Sequence, residues 1–140
     1  MICVQAFNTH PRYHAGIKET IFLATVVLRK EGARNAELSV VFINDTEMIA
    51  MNGRFLKHRY ATDVLSFSLA DNNRKHVEGE VYVNMDQARR QAKEYGVSIK
   101  NEIARLVIHG ILHLVGFQDN TRQGKKRMTV REDYYLDHIL

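Results

Sequence analysis

The chain has 140 residues, with 45% hydrophobic and 26% charged residues, the balance of one soluble globular domain spanning 1–140. Twenty Lys and Arg against 16 Asp and Glu give a formal charge of +4, which suits a polyanionic partner without requiring one. No apolar run approaches the roughly 18 residues that cross a bilayer, and the single cysteine, Cys3, cannot close an internal disulfide, so a reducing cytoplasm is the expected setting.

In chain order, residues 2–7 are β-prone and predict a strand, with Cys3 as a small core residue in it. Residues 14–31 change to helical spacing, with Ile17, Thr20, Ile21, Ala24, Val27 and Leu28 on one stripe and Gly32 as the stop. Residues 38–43 are apolar at nearly every position and predict a strand buried on both faces. Asn44-Asp45-Thr46 offers N-cap chemistry for a helix over about 45–55. The basic loop 56–61 follows.

Two alternating segments come next. In 64–69, Leu65, Phe67 and Leu69 share one face, and Val64, Ser66 and Ser68 the other. In 80–85, Val81, Val83 and Met85 are expected inward, with Glu80, Tyr82 and Asn84 outward. Gly96 ends a helix at 86–95, and Ser98 caps the longest one, 99–115, whose stripe is Ile99, Ile103, Leu106, Val107, Gly110 and Leu114. A last helix falls within 122–139 around Met128, Tyr135, Leu136 and Ile139. The expected fold is α+β: one compact domain with a mixed sheet of about four strands packed by helices.

The chemistry concentrates in 109–119, His-Gly-Ile-Leu-His-Leu-Val-Gly-Phe-Gln-Asp. Four residues of helix rise about 6 Å and return to nearly the same face, so His109 and His113 can reach one ion. Gly116 permits a left-handed exit that turns Asp119 back toward the imidazoles as a third ligand. Two nitrogens and one oxygen leave a fourth position open to water, the plan of a catalytic zinc. His10 and His14 have the same spacing, but they straddle Pro11 and lack the following glycine and aspartate. The metzincin proteases share the His-x-x-x-His plan, yet Gly110 stands where they place a catalytic Glu, which disfavours a peptidase. Glu102, two turns before His109, is read as an outer partner of the site or a surface charge.

Together with Thr62-Asp-Val-Leu-Ser-Phe67, Gly79-Glu-Val81 and the pair Met128 and Glu132, the histidine segment resembles the YbeY family of bacterial rRNA maturation factors. The resemblance runs over roughly 40–135. It implies a zincin-like site at the edge of a mixed sheet, one Zn²⁺ per chain, and single-strand-specific cleavage of rRNA in 16S 3′-end processing and ribosome quality control. Small ribosomal subunits and single-stranded rRNA are the implied partners, and no membrane is implied. Three positions depart from the family pattern. Asp119 replaces a third histidine, Leu56 stands where many members have an arginine, and Ser68 replaces a proline.

Arg54, Lys57, His58 and Arg59 form a basic cluster whose functional reading is contact with RNA phosphates; a solvated loop is the plainer one. Arg59 and Asp63 are the candidates for a catalytic role beyond the ligands, and no general base is identified. Asp63 and Glu80 have a structural alternative in loop capping. Lys125, Lys126 and Arg127 read as an exposed face, and Phe67, Phe117, Tyr134 and Tyr135 as packing residues rather than base-stacking platforms. The competing functional class is a ribosome-associated assembly factor that binds RNA or a ribosomal protein around a structural metal. The departures at Leu56 and Asp119 favour it.

Overall fold

The computed structural model describes residues 1–56 and 62–139. Strand β1 (Ile2–Asn8) leads to helix α1 (Ile17–Lys30), β2 (Asn35–Ile43) and α2 (Asp45–Met51), which passes into one π-helical turn, Asn52–Leu56. Strands β3 (Val64–Ser68) and β4 (His76–Asn84) follow, then α3 (Met85–Tyr95), α4 (Ile99–Leu114) and α5 (Arg122–Ile139). The four strands form one mixed sheet in the order β1-β2-β4-β3, parallel throughout except for the antiparallel β3–β4 pair. This is the α+β architecture expected from the sequence.

One face of the sheet carries the core. Leu38, Val40 and Phe42 of β2 sit opposite Gly79, Val81 and Val83 of β4, and α1 and α4 cover them. The α1 stripe is the expected one with Leu23 added and Ile17 and Ile21 only half-buried. The other face is the less buried one among the described residues, which corrects two expectations. Strand β2 is fully buried on one side, whereas on the other Glu37 is exposed, Ser39 and Val41 are half-buried and Ile43 alone is buried, so its apolar run reflects a partly shielded outer face. Cys3 lies on this outer face and is exposed, not in the core.

Asn84 also departs from its expected outward place. It is fully buried, because its side-chain oxygen caps α3 by accepting from the backbone N–H groups of Asp86 and Gln87. Its amide nitrogen donates to Asp45 Oδ1 (2.8 Å) and to the Thr62 carbonyl (3.1 Å). Capping chemistry outranked strand alternation at this position.

Helix α4 is enclosed on several sides rather than along a single stripe, with Ala104, Ile108, Ile111 and Leu112 buried as well. Ile99, expected in the stripe, is partly exposed at its first turn. Gly110 explains how closely α4 approaches the sheet. A Cβ there would lie 2.5 Å from Val81 Cγ1, while Ser66 Oγ donates to the Gly110 carbonyl at 2.8 Å. Gly79 makes the matching concession in the strand, where a Cβ would meet the Phe67 carbonyl and both methyl carbons of Leu114. The glycine that replaces a protease's glutamate is therefore a packing requirement.

Candidate metal centre

Helix α4 presents His109 and His113 from consecutive turns, and its C-terminus determines what meets them. Gly116 adopts φ +109°, and the N–H groups of Gly116 and Phe117 donate to the carbonyls of His113 and Leu112, the paired bonds of a Schellman stop. The reversed chain then carries Asp119 back over the helix. Gly124 of α5 lets this loop sit close, since a Cβ there would lie 2.3 Å from the Gln118 carbonyl.

The three side chains predicted from the sequence converge. His109 Nε2 and His113 Nε2 are 3.1 Å apart, and Asp119 Oδ2 lies 3.3 Å from the first and 3.5 Å from the second. Four-coordinate zinc with bonds of about 2.0–2.1 Å spaces its ligand atoms about 3.3 Å apart. The observed triangle matches that spacing.

Hydrogen bonding on the far side of each ring assigns the tautomers. His113 Nδ1 lies 3.1 Å from the Phe117 carbonyl, which can only accept, so that nitrogen carries the proton. His109 Nδ1 donates likewise to Glu132 Oε2 at 2.7 Å. In the neutral rings both Nε2 atoms are then lone-pair donors, and they face each other and a carboxylate oxygen. Three such atoms at these separations repel one another unless a proton or a metal cation lies among them.

Glu132 is the residue that sequence reasoning noted without giving it a role. Arg105, one turn before His109, donates to Glu132 Oε1 at 2.8 Å and to Asp133 Oδ1 at 2.6 Å. This leaves Glu132 Oε2 for the imidazole, a carboxylate–histidine arrangement that orients a ligand and raises its basicity. Burial works against a charged His109, but the hydrogen bond and charge of Glu132, with the charges of Asp119 and Asp63, outweigh it. Its pKa lies above the ordinary histidine value.

Asp63, half-buried just before β3, thus contributes negative charge at the centre, and its backbone carbonyl accepts from the Asn84 N–H at 2.8 Å. Glu102 is not a surface charge, and the hydrogen bond described for it goes to Gln91 rather than to a ligand histidine. It is 2% exposed, accepts from Gln91 Nε2 at 2.7 Å, and burial pushes its pKa up. Arg54 is exposed on the π turn, whereas Lys57, His58 and Arg59 lie outside the described residues.

Of the four aromatic residues singled out, Phe67, Tyr134 and Tyr135 behave as packing groups. Tyr135 is fully buried and donates to Glu31; Phe67 meets Tyr82 edge to face; Tyr134 stacks on His138. His10 and His14 make no comparable centre. His10 Nδ1 accepts two backbone N–H groups and its Nε2 faces Asp86 Oδ1 at 2.8 Å.

A mixed α+β sheet with a two-histidine, one-carboxylate cluster on the helix packed against it defines a protein with the residues to hold a metal ion. The family model for endoribonuclease YbeY matches residues 7–140, and the chain belongs to that family. It is 40% identical over 111 residues to the endoribonuclease YbeY of Chloroherpeton thalassium, covering 79% of this chain and 77% of that protein. Identity to the endoribonuclease YbeY of Chlorobaculum parvum is 36% over 138 residues, 97% of this chain and 94% of the relative. A Thermotoga maritima protein of known solution structure superposes with a TM-score of 0.70 at 25% identity, over 98% of this chain and 89% of that one. The chain is accordingly an endoribonuclease by homology, a hydrolase whose substrate is RNA. No helix among the described residues is long and apolar enough to cross a membrane.

Proposed function

We propose that this chain is a zinc-dependent, single-strand-specific endoribonuclease acting on the 3′ end of 16S rRNA, with the small ribosomal subunit as partner and the cytoplasm as setting. The observation that carries the metal part is the meeting of three lone-pair atoms, His109 Nε2, His113 Nε2 and Asp119 Oδ2, at tetrahedral ligand spacing. Zinc held there supplies Lewis acidity toward a phosphodiester oxygen and toward water.

The chain's own residues do the rest. Glu132 fixes the tautomer and aim of His109, and the Phe117 carbonyl does the same for His113. Asp63 adds negative charge beside His109, where it can hold a proton or orient a water. Arg54, Lys57 and Arg59 are assigned to the phosphate backbone of the substrate. The third ligand being a carboxylate lowers the charge that a bound zinc presents. That feature supports the second reading, an RNA-binding assembly factor with a structural metal.

The test is a cleavage time course on single-stranded RNA spanning a 16S 3′ end, comparing the zinc-loaded protein with an identically purified His113→Ala variant. Cleavage and zinc both lost in the variant is the expected result. Equal cleavage by both proteins would remove the metal centre from the chemistry. Zinc bound without cleavage, with RNA affinity that survives His113→Ala, would select the assembly-factor reading.

A further inference from the structure

The loop that carries Asp119 has a second side. Facing away from the histidines, residues Gly116, Phe117, Gln118 and Thr121 form one wall of a groove of about 590 Å³, with Arg127 of α5 and Arg74 of the β3–β4 connection on its other walls. The groove continues along α5 as a trough of about 450 Å³, past Lys126, Val130 and Arg131. Arg74, Phe117 and Arg127 line both parts.

The charge along this path is one-sided. Four cations, Arg74, Lys126, Arg127 and Arg131, face a single carboxylate, Glu31, whose side chain is wholly buried. Glu31 Oε2 accepts from Arg131 Nε at 2.7 Å and from the Tyr135 hydroxyl, so Arg131 is a strut between α1 and α5. Arg74 stands 3.5 Å from Glu31 Oε1 with its guanidinium over the Phe117 ring, 5.5 Å from the centroid. Lys126 and Arg127 are exposed and make no ion pair among the described residues. On the helix, Arg127 and Arg131 share the groove side, while Asp133 is turned away to Arg105. The sequence run at 125–127 reads as a plain exposed face; packing of α5 gives it a side.

We propose that this groove and trough are an exit track for single-stranded RNA, in which Arg127 and Lys126 neutralise successive phosphates and the Phe117–Arg74 pair offers a planar surface to a base. The inference rests on the reading of the adjacent centre as an RNA-cleaving one. Charge complementarity selects the occupant: a cationic groove with an aromatic floor matches a phosphate backbone carrying unstacked bases. The forked guanidiniums suit phosphate oxygens, and the amide and hydroxyl of Gln118 and Thr121 add hydrogen-bonding groups beside them. A strand crossing the centre meets this track directly, because one loop forms the border of both.

The experiment measures binding of zinc-loaded protein to a 20-nucleotide 2′-O-methyl single strand, its integrity checked on a denaturing gel, by fluorescence anisotropy across a salt series. The variant is Lys126→Gln with Arg127→Gln, two exposed residues that support no described contact of the fold. For single strands each neutralised phosphate contributes about 0.7 to the slope of log affinity against log salt, so the slope falls by about 1.4 and affinity drops on the order of tenfold near 0.1 M salt. The paired Lys126→Arg and Arg127→Lys variant keeps the wild-type slope, and zinc content stays at one per chain in all three.

An unchanged slope and affinity in the glutamine variant, with wild type binding the strand, would overturn the track and leave the RNA reading intact. Failure of wild type itself to bind the strand would overturn both. Binding to poly-glutamate as tight as to the strand, lost equally in the glutamine variant, would replace RNA with an acidic protein as the occupant.

Discussion

Two histidine pairs of identical spacing do opposite things in this protein. His10 and His14 sit in irregular chain around Pro11, and their ring nitrogens are used within the fold. His10 Nδ1 accepts from the N–H groups of Arg12 and Tyr13, its Nε2 donates to Asp86, and His14 Nε2 meets the His10 carbonyl at 3.0 Å. In His109 and His113 it is Nδ1 that is engaged, by Glu132 and by the Phe117 carbonyl, so both Nε2 lone pairs are left pointing at one place. Spacing brings two imidazoles within reach of each other. The hydrogen bonds on their far sides decide whether they can hold a metal.

The contrast is broken most severely at His113. His113→Ala removes one of three ligands, and zinc content should fall from one per chain to near zero by plasma mass spectrometry. RNA cleavage should fall about 10³-fold, the loss of several kcal/mol of charge stabilisation. His10→Ala should do the reverse. It leaves zinc content unchanged, yet it takes a buried ring from between Asp86 and two backbone N–H groups. Stability by chemical denaturation should then drop by about 2–3 kcal/mol. His14 is exposed, and His14→Ala should alter neither quantity measurably.

Glu132→Gln sharpens the comparison, because it keeps the shape of the partner while removing the charge that orients His109. Zinc affinity by competition with a chelator should weaken about 10–100-fold. The smallest measurable effect belongs to Glu102, a second buried carboxyl, on the helix that carries the histidines. Glu132 has Arg105 and His109 against it, whereas the described hydrogen bond of Glu102 is to the Gln91 amide. Burial raises the Glu102 pKa, so the folded state holds its proton more tightly than the unfolded chain does. Stability from this group is therefore present at low pH and is lost as pH rises from the unfolded value near 4.5 through the raised folded value. Glu102→Gln should raise stability at pH 8 on the order of 1 kcal/mol and flatten that part of the pH profile, as read from thermal melts between pH 4 and 8.

The sequence makes one side of the centre legible and hides the other. His109, His113, Gly116 and Asp119 fall within eleven residues of one helix and its stop, where geometry follows from local rules. Glu132 lies 23 residues after His109, and its role depends on how α5 packs against α4. Gly110 is similar: its helix position is plain, but the need for a missing Cβ arises only because Val81 and Ser66 lie across from it. Strand alternation misjudged Asn84 because a cap took its side chain, and it over-buried β2 because the run from Leu38 to Ile43 carries no sign that Ser39 and Val41 stand on the less buried sheet face.

The most direct test of the lone-pair account is a zinc titration of metal-stripped protein by calorimetry, run in parallel on wild type, His10→Ala and His113→Ala. One site of equal affinity in wild type and His10→Ala, absent from His113→Ala, is the predicted result. Zinc binding that survives His113→Ala unchanged, or that disappears with His10, would contradict the account.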